Sequence, residues 1–182
     1  MKRNIWAGIV ASLGLAFGGA AVFAPTAEAN FDQNTYYCAQ LNGEWNTFVN
    51  TPRGRVKLVN WANSFSERWT PRNRCTEISG RFQKFLDAGT LKYIRTGNVN
   101  QLPVICVAQQ KGGECPSSNV LITLEPNTDP EAVLVRLVDF RRSVSGQTIV
   151  LSENDSGFYS EGEFYVDMNE FLEQVPVEAS AP

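Results

Sequence analysis

Basic residues and a tryptophan are concentrated in the stretch Arg68-Trp69-Thr70-Pro71-Arg72-Asn73-Arg74 and in the residues that follow it. Such positive charges are suited to anionic lipid headgroups or to an acidic protein partner. Glu77 and Arg81 are four residues apart, so a helix would pair their side chains. The sequence therefore predicts a binding surface, here named the basic surface, that consists of Arg68, Trp69, Arg72, Arg74, Arg81 and Lys84.

A purely structural role for the same side chains is the alternative. The helix face would then be an ordinary solvated one, or its arginines would pack on Trp61 and Trp69 as cation–π contacts. Both interpretations require the same helix. Thr70 can cap its first turn, Pro71 suits its first position and Gly89 marks its end.

Histidine is absent from all 182 residues, which excludes Ser-His and Cys-His nucleophilic catalysis and the usual catalytic zinc sites. Carboxylate chemistry remains open, because Glu161 and Glu163 would point the same way in an extended segment, as in a hydrolase with paired carboxylates. A calcium-binding or ligand-binding module is a second alternative. It would use Glu153, Asp155 and Glu161 around Gly157, although this spacing does not match an EF-hand loop. We predict no catalytic residue, no cofactor and no metal site.

The hydrophobic pattern indicates an α+β protein, with a mainly antiparallel sheet packed against two helices and stapled by two disulfides. The turn signals include Asn42-Gly43 and Gly97-Asn98. A third, short helix near the carboxyl terminus would close the fold. Strands are predicted over residues 36–41, 45–49, 56–61, 91–95, 104–107, 120–123 and 164–166, and helices over residues 71–88, 130–142 and 169–174.

Four cysteines are present: Cys38, Cys75, Cys106 and Cys115. An even number in an exported chain suggests two disulfides, for which three pairings exist. We favour Cys106–Cys115, because the segments around these residues read as strands on either side of a Gly112-Gly113 turn. Cys38 and Cys75 would then tie an early strand to the first helix. A zinc site with four cysteine ligands is the alternative, but the chain has no Cys-x-x-Cys pair.

The first 29 residues have the pattern of a signal peptide. Lys2 and Arg3 precede an apolar run from Ile5 to Phe23, and Ala27-Glu28-Ala29 supplies the small residues of a cleavage site before Asn30. An uncleaved membrane anchor is the alternative. We therefore expect export to the periplasm, to the thylakoid lumen or to the extracellular space.

Charge is distributed unevenly along the chain. Residues 30–142 contain 14 basic and 10 acidic residues, whereas the residues from Ser143 onward contain 8 acidic residues and no basic one. We predict a core domain over residues 30–146 and an acidic segment over residues 147–182, partly packed on the core and frayed after residue 176. Its charge would serve solubility or would shield a basic face. Nucleic acid is not expected as a partner, because the net charge after cleavage is −4.

Several motifs are specific in combination: Arg68-Trp69-Thr70-Pro71, Arg74-Cys75, Ser79, Arg81-Phe82, Val104-Ile105-Cys106, Cys115 and the Leu121-x-Thr123-Leu124 strand. With them, residues 36–142 resemble the cyanobacterial circadian oscillating protein family. The resemblance implies a peripheral membrane protein whose abundance follows a daily rhythm, with no established enzymatic activity, and it supplies no catalytic or ligand residue. We therefore expect an exported, non-catalytic binding domain that associates peripherally with a membrane surface or an envelope protein.

Overall fold

Two antiparallel sheets and three α-helices make up residues 33–64, 66–143 and 156–178, which are the residues that this computed structural model describes. The predicted α+β class is confirmed, and the strands are divided between two sheets. The elements are β1 Thr35–Leu41, β2 Glu44–Thr51, β3 Gly54–Trp61, α1 Pro71–Asp87, β4 Tyr93–Val99, β5 Leu102–Ala108, β6 Val120–Thr123, α2 Pro130–Ser143, β7 Gly157–Ser160, β8 Glu163–Asp167 and α3 Met168–Gln174.

The first sheet is a meander with the strand order β1-β2-β3. Asn42 and Gly43 both have positive φ, at 53° and 84°, which gives the tight turn that the sequence predicted between β1 and β2. The register shifts between Thr47, which pairs with Val59, and Phe48, which pairs with Lys57, so Leu58 is an extra residue and forms a bulge in β3. Leu58 at the bulge and Trp61 after it are both buried.

Helix α1 begins and ends where the sequence predicts. The hydroxyl of Thr70 accepts a hydrogen bond of 3.3 Å from the backbone N–H of Asn73, and Pro71 occupies the first position of the helix. Gly89 follows the helix with a φ of +65°. The buried face consists of Cys75, Ile78, Ser79, Phe82 and Leu86, and it packs mainly on β1 and β2.

The second sheet has the strand order β6-β5-β4-β8-β7. The prediction of a turn at Gly97-Asn98 is wrong, because both residues lie within β4 and pair with β5. The turn is formed instead by Asn100 and Gln101, whose φ values are 52° and 64°. Gly97 has a different reason to be glycine: a Cβ there would lie 2.6 Å from the Sγ atom of Cys115.

Both favoured disulfides are confirmed. Cys38 in β1 is bonded to Cys75 in α1, with a Cα–Cα distance of 5.4 Å, and the described residues contain no free cysteine. Cys106 in β5 is bonded to Cys115, which lies in the loop before β6. The first bond therefore fixes the helix to the first sheet, and the second holds a loop against the second sheet.

The described part of the acidic segment, residues 156–178, contributes to the second sheet and its surroundings. Strand β8 pairs with β4, and β7, which the sequence analysis missed, pairs with β8. After α3 the chain reaches the first sheet, where Arg53 donates hydrogen bonds to the carbonyl oxygens of Leu172 (2.8 Å) and Val175 (3.2 Å). A cation at this position donates to the free carbonyl groups at the end of α3 and interacts favourably with the negative end of the helix dipole.

The predicted leader lies outside the described residues, as do residues 144–155. Within residues 33–64, 66–143 and 156–178, no helix has the length and apolar character needed to cross a membrane.

The core is shared by both sheets and by α1, α2 and α3, and Leu134 of α2 is fully buried in it. Tyr36 of β1 stacks on Phe82 of α1, with ring centroids 5.0 Å apart. The Tyr36 side chain is only 4% exposed, and its hydroxyl has no hydrogen-bond partner. Burial therefore raises the pKa of Tyr36 far above its ordinary value.

Replacement of Tyr36 by Phe tests this unpaired hydroxyl. In wild type, the unfolded chain releases the tyrosine proton near pH 10, whereas the folded chain keeps it, so this residue lowers stability as pH rises above about 10. Tyr36→Phe should remove that part of the alkaline loss and should leave stability at pH 7 unchanged or raised by about 1 kcal/mol. Urea unfolding at pH 7 and pH 10.5 measures both effects. A loss of more than about 1 kcal/mol at pH 7 would show that the hydroxyl is paired.

Gly97→Ala tests the packing of the second disulfide. The added methyl group must displace Cys115 or the strand, so we expect a loss of about 1–3 kcal/mol in the free energy of unfolding. Gly80→Ala is the matched control, because no atom lies within 4 Å of a Cβ at this exposed position in α1. The control should gain about 0.5–1 kcal/mol. Equal effects of the two variants in thermal unfolding would contradict the packing described here.

Candidate functional site

The basic surface follows α1 and the loop before it. Arg68, Arg72 and Lys84 are exposed, whereas Trp69 is partly buried. Arg74 and Arg81 are also partly buried, because each guanidinium lies against a neighbouring element. The six residues therefore share one helix but have unequal access to solvent.

Arg74 packs on the face of Trp61, with 4.7 Å between its Cζ atom and the ring centroid. It also donates a hydrogen bond of 3.4 Å to the carbonyl oxygen of Asn63. Burial lowers the pKa of Arg74 from its ordinary value, and the negative charge of Glu125 opposes this shift. For Arg74, the structural cation–π interpretation is confirmed.

Trp61 is held by a buried hydrogen-bond chain that the sequence analysis missed. Its indole N–H donates to the hydroxyl of Thr47 at 3.0 Å, and the hydroxyl of Ser79 donates to the same oxygen at 2.9 Å. All three side chains are less than 5% exposed. These hydrogen bonds link β2, β3 and α1, so the Trp61 ring beneath Arg74 has a fixed position.

Arg72 lies on the other side of the helix from Arg74. Two residues along a helix turn by about 200°, whereas Arg74 and Arg81 return to within about 20° of one another. Accordingly, Arg72 faces Trp45 of β2, with 5.5 Å from Cζ to the ring centroid. The basic surface is thus divided by the helix, and Arg74 and Arg81 lie on the side of the second sheet.

Arg81 joins α1 to the edge of the second sheet. Its Nε atom lies 3.2 Å from the carboxylate of Glu77, which confirms the predicted helical pair. Its Nη1 atom donates a hydrogen bond of 3.2 Å to the carbonyl oxygen of Leu121 in β6. Because β6 is an edge strand, this contact covers a carbonyl group at the rim of the sheet.

Two depressions lie between this side of α1 and the second sheet, and we name them together the α1 groove. The depression beside the middle of the helix, here called the central depression, has a volume of about 210 Å³ and is lined by Trp69, Arg74, Ile78, Arg81, Ile122 and Thr123. It shares Arg81 and Thr123 with a depression of about 400 Å³ that reaches Lys84. A further depression of about 460 Å³ also contacts Trp69, but it is lined by Arg72 and Glu77 and lies on the other side of the helix. The sequence analysis missed Ile122 and Thr123, because only the placement of β6 beside α1 brings them here.

The paired-carboxylate hypothesis required an extended segment, and this premise is wrong. Glu161 and Gly162 form the turn between β7 and β8, where Ser160 pairs with Glu163 and Glu161 has a φ of 54°. Glu163 accepts a hydrogen bond of 2.9 Å from the hydroxyl of Thr96, and it lies 3.3 Å from Arg95. The two carboxylates are therefore not side by side on one strand face.

The calcium hypothesis falls mostly outside the described residues, since Glu153 and Asp155 are not among them. Within the described part of the chain, no group of three or more metal-ligating side chains comes together.

A second cation-aromatic cluster lies on the second sheet and was not found from the sequence. Arg95 lies over the ring of Tyr165 at 5.0 Å, and Lys111 lies over the ring of Phe158 at 4.5 Å. Arg95 also donates a hydrogen bond of 2.6 Å to the carbonyl oxygen of Gly113. These contacts hold the loop that carries Cys115, which gives this cluster a structural role.

A family model matches residues 35–173, and its description is circadian oscillating protein COP23. The match covers well over half of the chain and continues past Arg142 through β8. No curated protein and no solved structure matches the chain. The acidic residues of β8 and most of α3 are therefore part of the family region.

Thr47→Val tests the hydrogen-bond chain beneath Arg74. The substitution keeps the shape of the side chain but leaves the indole N–H of Trp61 and the hydroxyl of Ser79 without their shared acceptor. We expect a loss of about 1–3 kcal/mol in the free energy of unfolding, measured with urea. Thr76→Val makes the same substitution at an exposed position of α1 and is the control, which should change stability by less than about 0.5 kcal/mol. Equal stability of the two variants would refute the role of Thr47.

Proposed function

We propose a binding function for this chain, which belongs to the circadian oscillating protein COP23 family. In this proposal it is an exported, non-catalytic domain that attaches peripherally to a membrane surface or to an envelope protein. Its abundance follows a daily rhythm, in keeping with the description of the family. The basic surface makes the contact.

One observation carries the proposal: Arg72 and Lys84 of α1 and Arg68 of the loop before it are exposed, and Lys84 borders the α1 groove. Exposed cations beside a concave, partly apolar surface are suited to an anionic partner. Glu77 is also exposed here, but it is already paired with Arg81.

The acidic segment supports this assignment through the places where it contacts the rest of the chain. In the residues described, its contacts with basic residues include Arg53 beside α3, Arg95 beside Glu163 and Lys111 over the ring of Phe158. These basic residues all lie outside α1. A role of the described acidic residues in shielding the basic surface is therefore not part of the proposal.

Export is supported by the two disulfides, since such bonds persist in oxidising compartments outside the cytoplasm. The leader pattern before Asn30 agrees with this location. The periplasm, the thylakoid lumen and the extracellular space all fit.

Charge reversal tests the basic surface. The double variant Arg68→Glu/Lys84→Glu should lose most of its co-sedimentation with envelope membranes at low salt, because two exposed attractive charges become repulsive. The matched control Lys92→Glu/Arg136→Glu makes the same change in net charge at exposed positions on other elements and should sediment like wild type.

The salt concentration provides an independent test of the same proposal. Binding of the wild type should fall several-fold when the salt concentration rises from about 50 mM to about 500 mM, since exposed charges are screened. A wild-type protein that stays in the supernatant at low salt, or equal losses in the two double variants, would refute the proposal.

A further inference from the structure

We infer that the α1 groove binds an extended acidic segment of a partner protein, with one apolar side chain of that segment inserted between Arg74 and Arg81. This inference rests on the proposed function and names the partner chemistry of the same surface. It adds a binding element that charge alone does not supply, namely the central depression.

The length of the groove fits a short peptide. Its helix side extends from Arg74 to Phe85, which at 1.5 Å per residue is about 17 Å. Its two depressions are joined through Arg81 and Thr123. An extended chain advances by about 3.3 Å per residue, so about five residues would span this distance.

The central depression fits a side chain better than a whole small molecule. Its volume of about 210 Å³ lies below the ~300–1,000 Å³ that is usual for sites of drug-sized ligands. Its walls include Trp69, Ile78 and Ile122, which favour an aliphatic or aromatic group. A single Leu or Phe side chain is an occupant of this size and character.

The positive charge of the groove indicates acidic residues in the bound segment. Arg74 and Arg81 line the central depression, and Lys84 lines the second depression. Arg81 is already paired with Glu77, so Arg74 and Lys84 give the groove its excess of positive charge, and exposed Arg68 precedes Trp69 at its other end. Carboxylates on both sides of an apolar anchor would therefore each meet a cation.

The concave shape favours a protein segment over a bilayer. A bilayer presents a broad surface, so its headgroups would reach the exposed Arg68, Arg72 and Lys84 but not the apolar walls between α1 and β6. A narrow extended chain reaches both. Binding to an anionic membrane is accordingly an outcome of the test that would overturn this inference.

The probe is a fluorescein-labelled peptide of sequence Glu-Glu-Glu-Phe-Leu-Glu-Glu-Glu, titrated with the mature protein in 50 mM salt and followed by fluorescence anisotropy. We expect saturable binding. Replacement of Phe-Leu by Ser-Gly should weaken binding at least tenfold, and replacement of every Glu by Lys should abolish it. Equal binding of the Phe-Leu and Ser-Gly peptides would overturn the inference, because the apolar anchor would then contribute nothing.

Thr123→Trp obstructs the groove without a change in charge, since Thr123 is exposed in β6 and lines two of the depressions. We expect at least a tenfold loss of affinity for the acidic peptide, with Thr123→Ser as the control that retains it. Thermal unfolding and disulfide mapping of Thr123→Trp establish that the variant is folded. A folded Thr123→Trp protein that binds the peptide like wild type would overturn the inference.

Phosphatidylglycerol vesicles separate this inference from the proposed function. If the wild type and Thr123→Trp bind these vesicles equally, while the acidic peptide does not bind, the inference fails and the proposed peripheral function stands. If Arg68→Glu/Lys84→Glu retains wild-type binding to envelope membranes, the proposed function fails as well. Loss of peptide binding in Thr123→Trp, with weak binding of wild type to the vesicles, supports the inference.

Discussion

The covalent bond between Cys38 and Cys75 is the constraint on which the position of α1 depends. It joins β1 to a helix residue that is fully buried, across 37 residues of chain. In the chain-entropy account, a loop of this size stabilises by about 4 kcal/mol, compared with about 2.6 kcal/mol for the shorter Cys106–Cys115 loop. The same helix contacts β6 of the second sheet, because Arg81 donates a hydrogen bond to the carbonyl oxygen of Leu121. One bond thereby helps to set the relation of both sheets to the same helix.

The basic surface combines side chains with different physical roles. Arg74 is partly buried on Trp61, whose indole is fixed by Thr47 and Ser79, so this guanidinium contributes to packing as well as charge. Exposed Lys84 has no such support and is free to meet a partner by charge. The structural and the binding interpretations of these residues are therefore compatible. The packed residues form the walls of the groove, and the exposed residues give it its positive charge.

Local chemistry made α1 predictable: Thr70, Pro71 and Gly89 each act within a few residues of the helix ends. Most of the strands and the Cys106–Cys115 pair followed from similar short-range patterns, and the Cys38–Cys75 pair followed as the remaining one. The turn at Gly97-Asn98 was mispredicted because the missing Cβ serves a contact with distant Cys115. The contribution of Ile122 and Thr123 to the groove also depends on long-range strand pairing, which a single sequence does not specify. The site was thus predictable on its helix side and not on its sheet side.

The central claim is that an oxidised, exported domain presents α1 as a rigid binding face. The most direct measurement is peptide mapping by mass spectrometry, under non-reducing conditions, of the protein isolated from its native cells. We predict a chain that begins at Asn30, with Cys38 linked to Cys75 and Cys106 linked to Cys115. Recovery of four free thiols in a chain that still carries residues 1–29 would contradict it.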